Sequence, residues 1–272
     1  MEMENIKVIG VDPAPKNPST VYDKDNGIQK KYATDLVKYL NTETDNGKNK
    51  DVLICWDAPL VYWNNSFWKS EEKSPKKDNI DYLYCRPIEK FFQHKDHFPL
   101  SKKIKKKQGV SVLSYAGCPH WTISKYCLGL PIIGQYDKSE TPFDLITNED
   151  KKWNSTKSSL IEVHPAVAMY YWLGKDLKKY KGNKVEVDRI WKRLQNKVDC
   201  FKMIDYKPKD DDELDAIVAY VLGNEWANNN GGESKVQLFG DATTGSFLLP
   251  FKTVNHDLAS DLKKLYEGGK LF

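Results

Sequence analysis

Two apolar runs in this chain each lead into an aspartate. IKVIGV at 6–11 leads into Asp12, and VLICW at 52–56 into Asp57. Both have the character of strands, and groups at the carboxyl ends of neighbouring strands in an α/β sheet converge on one crevice. A third apolar run, Leu160 to Val163, carries Glu162, and His164 two residues later shares its face. A fourth set of acids opens the most regular helical pattern in the chain: Asp210, Asp211, Asp212 and Glu213, then Asp215. Asp212 and Asp215 are three apart and lie on one side of a helix. Asp215 borders the apolar stripe through Val218, which predicts that it faces the sheet.

Acids aimed together raise each other's pKa, and a divalent cation removes that penalty. Hard oxygen donors with no matching cysteines favour Mg²⁺ or Mn²⁺ over zinc. Two such ions ~4 Å apart are a standard arrangement for cutting phosphodiesters. Each acid also has a plainer reading. Asp210, Asp211 and Glu213 suit a helix N-terminus, and an Asp after a strand is often a turn residue. The combination of two strand-end acids, a strand Glu and a DxxDA helix is what points to chemistry.

Other residue sets have two readings as well. Lys102, Lys103, Lys105, Lys106 and Lys107 form the densest basic run, suited to a nucleic-acid backbone or to a solvated loop. Trp63, Phe67 and Trp68 beside Lys69, Lys76 and Lys77 suit base stacking or a cap packed on the core. His164 is placed to relay a proton or to sit half-buried in a strand. Cys118, His120, His94 and His97 lack the usual structural zinc spacings. No GxxxxGK[ST] or GxGxxG occurs, which argues against P-loop and Rossmann nucleotide sites.

These residues need a scaffold. The pattern predicts a strand at 6–11, a strand pair at 20–22 and 27–32, a helix at 35–40 and a strand at 52–56. The continuous apolar run 52–56 suits a strand buried on both faces. A helical pattern follows over 111–130, then a strand at 160–163 and a helix that Pro165 starts. Helices at 184–200 and 211–223 come next, with Gly223 read as the end of the second. SFLLP at 246–250 reads as a strand, followed by a last amphipathic helix. The order fits one α/β sheet of mixed direction with helices on both faces. The whole chain, 1–272, reads as a single domain with an insertion or cap at 61–110. The 272 residues suffice for a hydrophobic core without disulfides. Lys and Arg total 42 against 38 Asp and Glu, a net charge of +4 that excludes nucleic-acid binding by bulk charge but allows a local basic groove. Five irregularly spaced cysteines, no signal region and no long apolar run lead to the expectation of a cytoplasmic protein.

GVDPA at 10–14, WDAPL at 56–60, CRPIEKFF at 85–92, IEVHPA at 161–166, DELDAIVAY at 212–220 and GSFLLP at 245–250 occur in that order. With these motifs the sequence resembles the predicted RNase H-like nucleases grouped as domain of unknown function 429. The resemblance implies an RNase H-like fold similar to the RuvC resolvase branch. There a first-strand Asp, a fourth-strand acid and a DxxDA helix bind the metals. Carried over, these become Asp12, Asp57, Asp212 and Asp215, with Mg²⁺ or Mn²⁺ as cofactor. The pattern adds Glu162, Arg86 and Glu89. Arg86 suits either an ion pair with Glu89 or a clamp on a substrate phosphate. The expected function is metal-dependent hydrolysis of phosphodiesters in DNA or RNA. Asp12 would bridge both ions, Asp57 would bind one and Asp215 the other with help from Asp212, and Glu162 would ligate or orient a water. The alternatives are a non-catalytic nucleic-acid-binding module, and a phosphotransferase or phosphohydrolase acting on small nucleotides. The actin-like and sugar-kinase ATPases share the fold, but their Gly-rich phosphate turn is replaced here by DPAPKNPST, without glycine.

Overall fold

A computed structural model describes residues 6–60, 86–93, 120–130, 141–147, 156–228, 235–241 and 245–250. The first strand, β1 (Lys7–Asp12), pairs antiparallel with β2 (Ser19–Asp23), which pairs antiparallel with β3 (Gly27–Lys31). Helix α1 (Ala33–Glu43) then leads to β4 (Val52–Trp56), which lies parallel to β1. Two further helices, α2 (Pro87–Gln93) and α3 (His120–Leu128), precede β5 (Asp144–Ile146) and β6 (Ser159–Glu162). Both β4 and β5 pair parallel with β6, giving a six-stranded mixed sheet in the order β3-β2-β1-β4-β6-β5. Strand β4 is buried along its whole length because it has a parallel neighbour on each side and core on both faces.

Helices α4 (Pro165–Leu173), α5 (Lys184–Lys197), α6 (Asp199–Lys202) and α7 (Asp211–Asn228) follow, and then an antiparallel hairpin of β7 (Val236–Asp241) and β8 (Gly245–Pro250). Pleat alternation divides the core in two. Val8, Leu53, Cys55 and Ile161 face one side, where they pack with α4, α5, α7 and the hairpin. Ile9, Val11, Ile54, Trp56 and Leu160 face the other, with α1 and α3.

The long α7 is buried almost all round, as its apolar composition requires. Gly223 does not end it. The helix continues to Asn228, and Gly223 instead admits the sheet: a Cβ there would lie 2.2 Å from Cys55 Sγ and 2.9 Å from Val8 Cγ1. The helical reading of 184–200 divides into α5 and α6 at Val198, whose backbone is extended. Strands β5 and β7 have no counterpart in the sequence reading. The proposed cap at 61–110 lies outside the described residues except for 86–93, as does the last helix. Among the described residues no helix is long and apolar enough to cross a membrane.

Candidate active site

The parallel register sets Val11 beside Trp56, and the Asp57 amide donates to the Val11 carbonyl at 3.0 Å. Asp12 and Asp57 therefore stand side by side at the carboxyl ends of β1 and β4. Gly10 faces α7, and Asp12, two residues on, shares that face. Asp215, one turn into α7, is buried, with 1% of its surface exposed. Its charge reaches both strand-end acids.

The electrostatics show how closely the three acids are linked. Burial pushes the Asp12 carboxyl well above the usual range; Lys181 opposes the shift, and Asp215 and Asp57 add to it. Asp57 is raised by burial and by Asp215, again against the pull of Lys181. Burial also raises Asp215, while Lys181 and Tyr180 hold it down. Thus one buried and two half-buried carboxylates act on one ammonium group, and the cluster is short of positive charge.

The loop between α4 and α5 supplies that ammonium. The hydroxyl of Tyr180 donates to Asp215 Oδ1 at 2.9 Å, and Lys181 Nζ donates to Asp215 Oδ2 at 2.5 Å. Lys181 also lies 3.7 Å from Asp211 Oδ2, and the Gly182 amide donates to Asp211 Oδ1 at 3.1 Å. Leu177 and Tyr180 anchor the loop in the core, while Lys178, Lys179 and Lys184 are exposed beside it. Neither Tyr180 nor Lys181 is marked by the sequence motifs. Lys181 belongs to KKYKGNK, one lysine among several, and only the tertiary contact distinguishes it.

The other acids of α7 divide by role. Asp210 caps the helix, accepting from the Glu213 amide at 2.8 Å. Glu213 accepts from the Lys209 amide at 2.7 Å and the Tyr206 hydroxyl at 2.9 Å. Asp212 is half-exposed and lies 3.7 Å from Lys30 at the rim. It still contributes to the raised carboxyl of Asp12.

Glu162, whose charge also helps to raise Asp57, is bonded to Arg86 and to the Leu60 amide. Its Oε2 accepts from the Leu60 amide at 2.9 Å and from Arg86 Nη1 at 2.8 Å, and its Oε1 from Arg86 Nη2 at 2.5 Å. Arg86 Nε and backbone amide donate to Glu89 at 2.9 and 2.7 Å. Arg86 and Glu89 are each 1% exposed and Glu162 is 2% exposed. This favours the ion-pair reading of Arg86 over the phosphate clamp: the guanidinium is held inside, between two carboxylates. The same contacts give Glu162 a structural task. It tethers Leu60, three residues after Asp57, and braces the site through the backbone.

His164 stacks edge-on against Phe247 with ring centroids 5.3 Å apart, and its buried Nδ1 has no hydrogen-bond partner among the described residues. Burial, with Lys181 nearby, pushes its pKa down to about 4. His120, at the start of α3, is also lowered by burial and Lys181. Lys102, Lys103, Lys105, Lys106 and Lys107 lie outside the described residues, as do Cys118, His94 and His97.

The donor set of Asp12, Asp57 and Asp215 is all hard oxygen, and its deficit of positive charge suits a divalent cation. Among the described residues no group of three or more His, Cys, Asp or Glu side chains is drawn together closely enough to hold a metal ion as arranged. Lys181 is the cation paired with Asp215.

Over residues 143–242 the chain matches the model of a family described as "Protein of unknown function (DUF429)". That span contains Glu162, His164, Tyr180, Lys181 and Asp215, while Asp12, Asp57 and Arg86 precede it. No curated protein and no solved structure matches the chain.

Proposed function

We propose that this chain is a divalent-metal-dependent nuclease of RNase H-like fold, hydrolysing phosphodiester bonds of DNA or RNA. One observation carries the reading: Asp12 and Asp57, at the ends of two adjacent parallel strands, lie close enough to Asp215, on the helix packed against them, that its charge raises both of their carboxyls. This is the placement that the RNase H-like resemblance implies, with the acids on the first strand, the fourth strand and the DxxDA helix. Asp12, Asp57 and Asp215 would hold Mg²⁺ or Mn²⁺, with Asp212 at the rim. When bound, the metal supplies an activated water and stabilises the leaving oxygen.

The chain's own residues have separate tasks. Glu162 and Arg86 fix the backbone beyond Asp57 through Leu60. Lys178, Lys179 and Lys184, exposed in or next to the loop that carries Lys181, would offset the repulsion that an acidic cluster exerts on a polyanion. The test is cleavage of end-labelled single- and double-stranded DNA and RNA in Mg²⁺, Mn²⁺ or chelator. Cleavage by wild type that is lost in chelator and in Asp12→Asn is expected. Undiminished cleavage by Asp12→Asn overturns the assignment.

The Lys181–Asp215 ion pair favours a second reading, a nucleic-acid-binding module without catalysis, because part of the cluster's charge is already met internally. That reading predicts salt-sensitive binding that chelator leaves unchanged, with no cleavage under any condition.

A further inference from the structure

Asp215 has both carboxylate oxygens occupied by donors from consecutive residues of one loop. Tyr180 holds Oδ1 and Lys181 holds Oδ2. The two donors differ in what they permit. Each carboxylate oxygen has more than one acceptor site, so a hydroxyl can remain bonded while the same carboxylate ligates a cation. An ammonium competes with the cation, because a unit positive charge within ~4 Å repels an incoming dication.

We propose that Lys181 is an exchangeable internal counter-ion of the acid cluster, which a divalent cation displaces from Asp215 while Tyr180 stays to orient the carboxylate. The inference rests on the metal-site reading above and adds two residues to it. Lys181 has somewhere to go. Its side chain is 44% exposed, and Gly182, which follows it, has a φ of +70° with nothing within 4 Å of where a Cβ would stand. The loop need not move with it. Tyr180 is fully buried, Leu177 is fully buried, and the Gly182 amide is bonded to Asp211. Exchange is therefore a side-chain rotation on a fixed backbone. In the metal-free protein the ammonium offsets part of the repulsion among the acids, and on metal binding it is released at the mouth of the site.

The arrangement assigns opposite signs to two neighbouring substitutions. Lys181→Met removes the competitor and retains most of the side-chain volume, so Mn²⁺ should bind on the order of tenfold more tightly or better. Tyr180→Phe removes only the orienting hydrogen bond, so Mn²⁺ should bind more weakly by up to about tenfold. Calorimetric titration of Mn²⁺ into the full chain measures both, with Asp12→Asn/Asp215→Asn as the control that identifies the site. Tighter binding by Lys181→Met supports the exchange. Equal or weaker binding by a folded Lys181→Met protein, with wild type binding normally, overturns the exchange and leaves the metal site standing. Absence of binding in both wild type and Lys181→Met overturns the exchange and the metal site together.

A second measurement uses the wild-type chain alone. Acetylation of Lys181, followed by peptide mass spectrometry, should accelerate severalfold when Mn²⁺ saturates the site, because the amine leaves its carboxylate. An unchanged rate at saturating Mn²⁺ overturns the proposal independently of any variant.

Discussion

Gly10 of β1 and Ala216 of α7 meet backbone to backbone: a Cβ on Gly10 would lie 2.2 Å from the Ala216 carbonyl oxygen and 2.5 Å from the Tyr220 amide nitrogen. This contact sets how closely Asp215 approaches Asp12. Neither neighbouring atom is the end of a flexible side chain, so Gly10→Ala must push helix and strand apart. We expect a loss of about 3 kcal/mol, near the upper end for overpacking, read as a lower urea midpoint. Metal affinity should fall in the protein that remains folded, because Asp12 and Asp215 separate.

Asp12→Asn should stabilise the metal-free protein at neutral pH while abolishing its metal binding. The folded-state pKa of Asp12 is raised, by burial first and neighbouring acids next. Between the ordinary carboxylate range and that raised value the folded chain binds more protons than the unfolded one. Stability therefore falls as pH rises through the window. Replacing the carboxyl by an amide removes this loss. A gain of about 1 kcal/mol would appear as a rise of ~2–4 °C in Tm for a chain of this size. A lower Tm for Asp12→Asn at pH 7.5 in chelator would contradict the account.

His164 has the opposite sign. Its folded-state pKa is about 4 against an ordinary value near 6.5, with burial the main cause. Between those values the unfolded chain binds more protons, so the contribution of His164 is complete above ~6.5 and is lost as pH falls towards 4. His164→Phe, which keeps the edge-on contact with Phe247, should flatten the loss of stability between pH 6.5 and 4. Urea unfolding at several pH values across that window measures it.

Arg86→Met should be the most damaging of these substitutions. It leaves Glu89 and Glu162 buried without their shared cation, a situation that costs about 3–5 kcal/mol. Glu162→Gln should cost less, since the one Gln oxygen can still accept from the Leu60 amide and Arg86 Nη1 and only the bond from Nη2 is lost. A comparison of urea midpoints checks the order.

Much of the scaffold was legible because its signals are local. The apolar runs 6–11 and 52–56 fall on β1 and β4, and the acids that end them stand side by side because parallel neighbours carry their carboxyl ends together. Period 3.6 identified α7, and the spacing of Asp215 from Val218 placed that acid towards the sheet. The same logic grouped Asp212 with Asp215, and here it reached only halfway. A helix face is broad, and the structure leaves Asp212 at the rim beside Lys30 while Asp215 is buried. Gly223 was misread because glycine both ends helices and admits close packing, and only the position of Cys55 decides which. The pairing of Arg86 with Glu162 spans 76 residues and has no local signature. Lys181 and Tyr180 were missed for the same reason: nothing in KKYKGNK marks which residue meets Asp215.

The path of the chain has a consequence for the order of assembly. Asp12 and Asp215 stand about two hundred residues apart, and the helix that carries Asp215 also covers one face of β1. At a synthesis rate of ~5–20 residues per second, that face waits on the order of ten to forty seconds for its cover. During that interval Val8 and Cys55 lack the cover of α7, and Asp12 and Asp57 have no partner from it. A polypeptide interrupted before Asp211 lacks the third carboxylate altogether. The acid cluster is thus completed only once α7 has been made, and a chain interrupted before that helix cannot assemble it.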